Sequence, residues 1–177
     1  MRTMTESPSP LTVRRLQQAD VHAVLGIIRG VREEFGIAQR VPSVLEPADY
    51  ALFEVYRRRR SAYFVALENG RVAGGAGIAA LAAGDWLTCE LQRMYVRPES
   101  RGHGVGQLLL DACIRSAQSM GFVRCYAETI SQMQGAVAFY ERNGFARLAA
   151  PAGHTGHSHN DCWLMLHIAA PFSSGHC

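Results

Sequence analysis

Apolar residues recur along this chain with two different periods, and the switches between them mark out its elements. Leu11 to Leu16 alternates and predicts a first strand. Asp20 stands where a helix N-cap belongs, ahead of Val21, Val24, Leu25, Ile28 and Phe35 on one helical face. A second helix is expected from about Pro47 to Arg60, carrying Tyr50, Leu52, Phe53 and Tyr56 and closing on Arg57 to Arg60, whose charge suits a solvated helix C-terminus. Segments 62–68 and 71–81 flank Asn69-Gly70, the dipeptide of a tight type I′ turn, and predict a hairpin. Residues 87–97 form a further strand. From Val105 the apolar residues Leu108, Leu109, Ala112, Cys113, Ala117 and Met120 keep helical spacing and give one apolar face. Gly121 stops that helix and Phe122 opens a strand over 122–128, and Gly144 and Phe145 repeat the pattern after the next helix. A loop over 149–160, rich in Gly, His, Ser and Asn, precedes a last strand from Cys162 to Ile168. Strands and helices in this order describe an α/β chain without internal repeats.

Composition narrows the setting. With 177 residues, 48% apolar and 19% charged, the chain has the balance of one ordinary globular domain. That domain is expected over 11–170, between a Ser- and Pro-containing tail at 1–10 and a short tail at 171–177. No apolar run approaches the roughly 18 residues of a membrane span, and the N-terminus MRTMTESPSP lacks an apolar signal core, so a soluble cytoplasmic protein is expected. A net charge of +3 is too small to argue for nucleic acid as a partner. Cys89, Cys113, Cys125, Cys162 and Cys177 are scattered, without a C-x-x-C pair, and read as reduced thiols that mostly fill the core.

The densest chemistry lies in residues 90–109, ELQRMYVRPESRGHGVGQLL, where a strand runs into a glycine-rich turn and then a helix. Gly102, Gly104 and Gly106 allow the backbone to turn tightly, so that N–H groups of the turn and of the helix N-terminus converge on an anion, with the fork of Arg101 beside them. This is a phosphate cradle. A P-loop would need Gly-Lys-Ser/Thr, and the chain contains no lysine. A dinucleotide fold would need G-x-G-x-x-G early in the chain, whereas these glycines are spaced G-x-G-x-G and lie late.

The run Arg101-Gly102-His103-Gly104-Val105-Gly106 after the strand Leu91 to Val96 resembles the acetyl-coenzyme A signature R-x-x-G-x-G of the GCN5-related N-acetyltransferases. Ala136, Phe139, Tyr140, Gly144 and Phe145 match that family's A-x-x-F-Y-x-x-x-G-F block, and the two blocks fall in the family's order. The resemblance implies a mixed, mostly antiparallel sheet of six to seven strands, splayed at its centre and flanked by about four helices. It also implies acetyl-CoA as co-substrate, with Gly102 to Gln107 donating backbone N–H groups to the pyrophosphate. Met94, Tyr95 and Val96 would pair with the pantetheine arm like an added strand, the Met94 N–H lying near the thioester oxygen. Many members carry an asparagine at the position of Met133, where Gln132 or Gln134 would have to substitute.

Direct transfer of an acetyl group to an amine asks for a base, an acid and a place for the acceptor. Tyr140 is the candidate acid, since a phenol of pKa about 10 can protonate a thiolate; the alternative is a half-buried aromatic on an amphipathic helix. Glu90, on the strand entering the turn, is the candidate base, and its alternative is an ion pair with Arg93 or Arg124. Because the first helix pair covers the substrate groove in the family, Glu33, Glu34 and Phe35 are candidate acceptor contacts, against a plain reading as solvent-facing charges. His154, His157 and His159, with Asp161 close by, form a metal-like set, but the reaction needs no metal and the loop is read instead as bordering the acceptor pocket. The expected activity is acetyl transfer to a small-molecule or amino-acid amine, with a homodimer as an assembly that exposed sheet edges would permit. The alternative is a non-catalytic acyl-CoA sensor that keeps Arg101 and the glycines and has no use for Tyr140.

Overall fold

The computed structural model describes residues 11–37, 51–157 and 159–168. Seven strands form one sheet: β1 (Leu11–Arg15), β2 (Ala62–Glu68), β3 (Arg71–Ala80), β4 (Thr88–Val96), β5 (Arg124–Thr129), β6 (Ala146–Leu148) and β7 (Cys162–His167), in the order β1-β2-β3-β4-β5-β7-β6. Among the described residues the helices are α1 (Val21–Glu34), α2 (Leu52–Val55), α3 (Val105–Ser119) and α4 (Gln134–Arg142), with 3₁₀ turns at Gln18–Asp20 and Pro98–Ser100. Only β4 and β5 run parallel, so the sheet is mixed and mostly antiparallel.

Strand β2 shows how the sequence builds two layers. Tyr63, Val65 and Leu67 face Val24 and Ile28 of α1, Leu52 of α2 and Tyr56 just after it, while Ala62, Phe64 and Ala66 face the side carrying α3 and α4. A strand buried on both faces reads as a continuous apolar run, as AYFVALE does. Of the predicted face of α3, Val105, Leu109, Ala112, Cys113 and Ala117 are buried against the sheet, joined by Leu110, while Leu108 and Met120 are half-buried; each buried leucine stabilises by about 1.5–3 kcal/mol. Asn69 (φ 53°) and Gly70 (φ 74°) both take the left-handed conformation a type I′ hairpin demands. The four described cysteines are all buried, with Cys89 and Cys125 opposite each other in β4 and β5.

Four local expectations are corrected. Helix α2 covers only Leu52–Val55 of the predicted span, residues 47–50 lying outside the described ones. The Ser61 hydroxyl donates to the carbonyls of Arg58 (2.7 Å) and Val55 (3.2 Å) and so takes over the helix end, while Arg60 leaves helical space at φ 57°. Arg60 is also no solvated charge, since its guanidinium lies 4.0 Å from the Phe122 ring centroid. Asp20 occupies the N-cap position of α1 without bonding to that helix; its carboxylate accepts from Arg14 at 2.6 and 2.9 Å and from the Gln17 N–H at 2.8 Å. Burial alone would raise its pKa, and the Arg14 fork and the Gln17 N–H hold it below the ordinary range instead. The apolar face of α1 includes Ile27 and Val31, and Phe35 falls just past the helix, half-buried.

Candidate active site

Pairing between β4 and β5 extends only over Thr88↔Arg124, Cys89↔Cys125 and Glu90↔Tyr126. Beyond Glu90, β4 stays with β3 while β5 follows β7, and the sheet opens into a wedge. The opening is assisted by a β-bulge. Between the pairs Gly77↔Gln92 and Gly75↔Tyr95, the single residue Ala76 opposes two, Arg93 and Met94, and Arg93 sits at φ 50°. The Tyr63 hydroxyl donates to the Arg93 carbonyl at 3.0 Å, and its ring occupies the space that side chains at Gly75 and Gly77 would fill. These glycines in an otherwise apolar strand are a signal that was legible in the sequence and went unread.

At the mouth of the wedge, β4 leads through Pro98–Ser100 to Gly102 (φ 80°) and Gly104 (φ 85°), and α3 starts at Val105. Both glycines have open space where a Cβ would stand, so it is their left-handed backbone, not crowding, that calls for glycine. Among the described residues no side chain caps α3, which leaves its first-turn N–H groups without a partner there. Gly106 packs beneath Phe139 and Met94, at 3.5 and 3.6 Å from an added Cβ. A left-handed turn and an uncapped helix N-terminus suit a pyrophosphate, and the unpaired edge of β4 beyond Glu90 suits an extended amide chain.

Arg101 is engaged within the protein. Its guanidinium holds both carboxylate oxygens of Glu34 at 2.7 Å and lies 5.9 Å from the Phe35 ring centroid. The Arg101 hydrogen bond keeps Glu34 below its ordinary pKa. His103 stands 3.3 Å from Glu68, which also accepts from the Ser100 hydroxyl at 2.7 Å. Gln132 reaches across to the Phe35 carbonyl at 3.3 Å.

Inside the wedge is a cavity of about 510 Å³. Glu90, predicted from sequence, lines it and is only 3% exposed. Its carboxylate accepts from Gln92 Nε2 at 2.6 Å, and Gln92 Oε1 in turn accepts from the Tyr56 hydroxyl at 2.8 Å. Burial pushes the Glu90 carboxyl up; Gln92 opposes this and the negative charge of Glu128 adds to it. The expected ion pair with Arg124 does not form. Arg124 bonds to Thr88 and Asp85 instead.

Glu128, which sequence reasoning missed, faces Glu90 from β5. It accepts from Tyr126 (2.8 Å), Thr155 (2.5 Å) and Nδ1 of His157 (2.6 Å). Burial would raise Glu128, but these three donors keep it below its usual value. A lone carboxylate on an apolar strand was the signal that could have found it. One atom each from Glu90, Glu128 and His157 lie within 4.8 Å of one another. The fold brings this trio together and not the metal-like run of His154, His157, His159 and Asp161: Asp161 is drawn away to the N–H and hydroxyl of Ser131, at 2.6 and 2.7 Å. His157 and His159 line the cavity.

The expected acceptor contacts Glu33, Glu34 and Phe35 do not line it. From α1 the cavity is faced by Ile28 and Arg32, one helical turn earlier, because Glu34 turns toward Arg101. Tyr95 lines the cavity, whereas Tyr140 does not. Tyr140 lies on α4, 8% exposed, between Phe139 and Phe145, with ring centroids 5.7 and 5.3 Å away. Burial, reinforced by Tyr95, drives its pKa up, so it carries its proton at any working pH, and no described residue accepts from it.

A sheet split between β4 and β5, with a glycine turn and an uncapped helix at the split, defines an acyltransferase of the N-acetyltransferase type, and the chain belongs to the acetyltransferase (GNAT) family, whose model matches residues 28–145. Among curated relatives it is similar to the uncharacterised N-acetyltransferase YjgM of Escherichia coli K12, 38% identical over 161 residues that cover 90% of this chain and 95% of the relative. Among solved structures, a GNAT acetyltransferase from Staphylococcus aureus Mu50 superimposes with a TM-score of 0.80 at 19% identity, over 90% of this chain and all of the other. YncA from Salmonella typhimurium, solved with its cofactor acetyl-CoA, superimposes with a TM-score of 0.71 at 23% identity, over 96% of this chain and all of the other. Among the described residues no helix is long and apolar enough to cross a membrane.

Proposed function

We propose that this protein moves the acetyl group of acetyl-CoA directly onto the amine of a small molecule, with an amino-acid-like amine favoured over a protein. The observation that carries this reading is the buried, proton-seeking Glu90 in a cavity that opens where β4 loses its partner strand. Gly102 to Gln107 would hold the pyrophosphate, with Arg101 and His103 beside it, and Met94 to Val96 would present backbone groups to the pantetheine. When bound, the cofactor supplies an activated acetyl thioester. Glu90 takes a proton from the acceptor ammonium, and Tyr140, protonated and without a protein acceptor, supplies one on the side of the leaving sulfur. Arg32 and the two carboxylates give the cavity charges of both signs, which suits an acceptor carrying an anionic group as well as its amine. The same reading places the protein in the cytoplasm, as one domain over 11–170 that needs no metal, with a homodimer formed through a sheet edge as its assembly.

The test is thiol release from acetyl-CoA in the presence of the twenty amino acids and simple primary amines, for the wild type and Tyr140→Phe. Turnover that drops in Tyr140→Phe while acetyl-CoA affinity stays constant is expected. Binding of acetyl-CoA without turnover on any amine would favour the sensor reading instead.

A further inference from the structure

Amide formation from an ammonium and a thioester yields an amide, a thiol and one net proton, so each turnover must export a proton to water. Glu90, which receives it, is almost sealed. Resting on the transferase reading above, we propose that His157, held in place by Glu128, is the outlet through which the proton taken by Glu90 leaves the site.

The geometry of the trio carries this assignment. An ionised carboxylate only accepts, so the 2.6 Å contact between Glu128 and His157 puts the ring proton on Nδ1 and leaves Nε2 to exchange protons. No described residue bonds to Nε2. The Glu128 side chain is 5% exposed and that of His157 is 60% exposed, so the pair runs from the interior to water. A gap of up to 4.8 Å between Glu90, Glu128 and His157 is one that a single bridging water can span. Tyr126 and Thr155 fix the remaining lone pairs of Glu128, which keeps the imidazole in one orientation. The charged and titratable groups around His157 are Glu90 and Arg93 from β4, Glu128 and Tyr126 from β5, Arg32 from α1, Tyr56 after α2, and His159 on its own loop. The Glu128 hydrogen bond raises the His157 pKa, burial opposes it, and the carboxylates of Glu128 and Glu90 add to the rise. Glu90 and His157 are thus both shifted upward, the one from the carboxylate range and the other from the histidine range, so each can hold the proton transiently.

Two measurements test the outlet. In the resting protein, imidazole NMR should show His157 titrating above 6.5 in the wild type and lower in Glu128→Gln. In turnover with the fastest amine of the panel, His157→Ala and His157→Gln should both lower kcat by about tenfold or more. KM for acetyl-CoA should hold, and added imidazole should restore His157→Ala. Wild-type kcat in both variants, or a loss that imidazole does not repair, would overturn the outlet and leave the transferase reading intact. A wild type that releases no thiol with any amine would bring down both.

Discussion

The Tyr63 hydroxyl donates to the carbonyl of Arg93 at 3.0 Å and ties the second strand to the bulge that opens the sheet. Arg93 pays a conformational cost at φ 50°, and this hydrogen bond from a fully buried phenol helps hold it there. Tyr63→Phe should lower unfolding free energy by about 1 kcal/mol in urea titrations, the worth of one such bond. It should lower kcat as well, because the backbone of Met94 is set by the same bulge. Unchanged kcat would separate the bulge from catalysis.

Gly77 makes room for the two rings that brace this region. A Cβ there would lie 2.7 Å from carbons of both Tyr56 and Tyr63, whose centroids are 5.0 Å apart. Gly77→Ala should therefore destabilise by about 1–3 kcal/mol through overpacking, read as a lower urea midpoint at constant slope. A midpoint equal to the wild type would show that the rings can shift freely.

If Arg101 serves the pyrophosphate, it must give up part of its contact with Glu34. That pair is more than one-third exposed on both sides, so its loss costs little. Glu34→Gln should then tighten acetyl-CoA binding by up to about fivefold, about 1 kcal/mol at most. Arg101→Glu should erase the thermal shift expected with saturating acetyl-CoA, about 2.7 kcal/mol at one hundred times the dissociation constant. Weaker binding in Glu34→Gln, measured by calorimetry, would instead make Glu34 a support for Arg101.

The Arg14–Asp20 pair predicts an acid limb in stability. Asp20 has a folded pKa below its ordinary value of 3.8, so its contribution is fully present above that value and disappears as pH falls through the folded one. Asp20→Asn should cost about 1–2 kcal/mol at neutral pH, and its unfolding free energy should converge with the wild type's at low pH. Parallel curves that never converge would refute the pairing.

What the sequence yielded was whatever depends on local pattern. The Asn69-Gly70 hairpin, the apolar face of α3 and the helix stops at Gly121 and Gly144 each rest on a few adjacent residues, and each glycine stop has its positive φ. Glu90 was legible from its place on the strand that enters the glycine turn of the family signature. Asp20 was misassigned because the choice between a helix N–H and the Arg14 fork depends on a strand lying alongside. The trio of Glu90, Glu128 and His157 draws on two strands and a loop, and only the parting of β4 from β5 brings them to one cavity. The same holds for Arg32, which replaces Glu33 and Glu34 at the cavity because a tertiary ion pair turns Glu34 away.

The burial of Cys89, Cys113, Cys125 and Cys162 bears on how this protein coexists with a reactive thioester. Acyl exchange requires a thiolate, and three of these thiols have their pKa values pushed up: Cys113 and Cys162 chiefly by burial, Cys125 first by its hydrogen bond to Cys89. The chain also has no lysine to offer as a stray acceptor. Prolonged incubation with excess acetyl-CoA should leave these four cysteines unmodified by mass spectrometry, and acetylation of any of them would show that the core opens to its own donor. A catalyst so built keeps its reagent for its substrate: its interior is self-inert, and the acetyl group has no easy destination in these thiols or in lysine side chains.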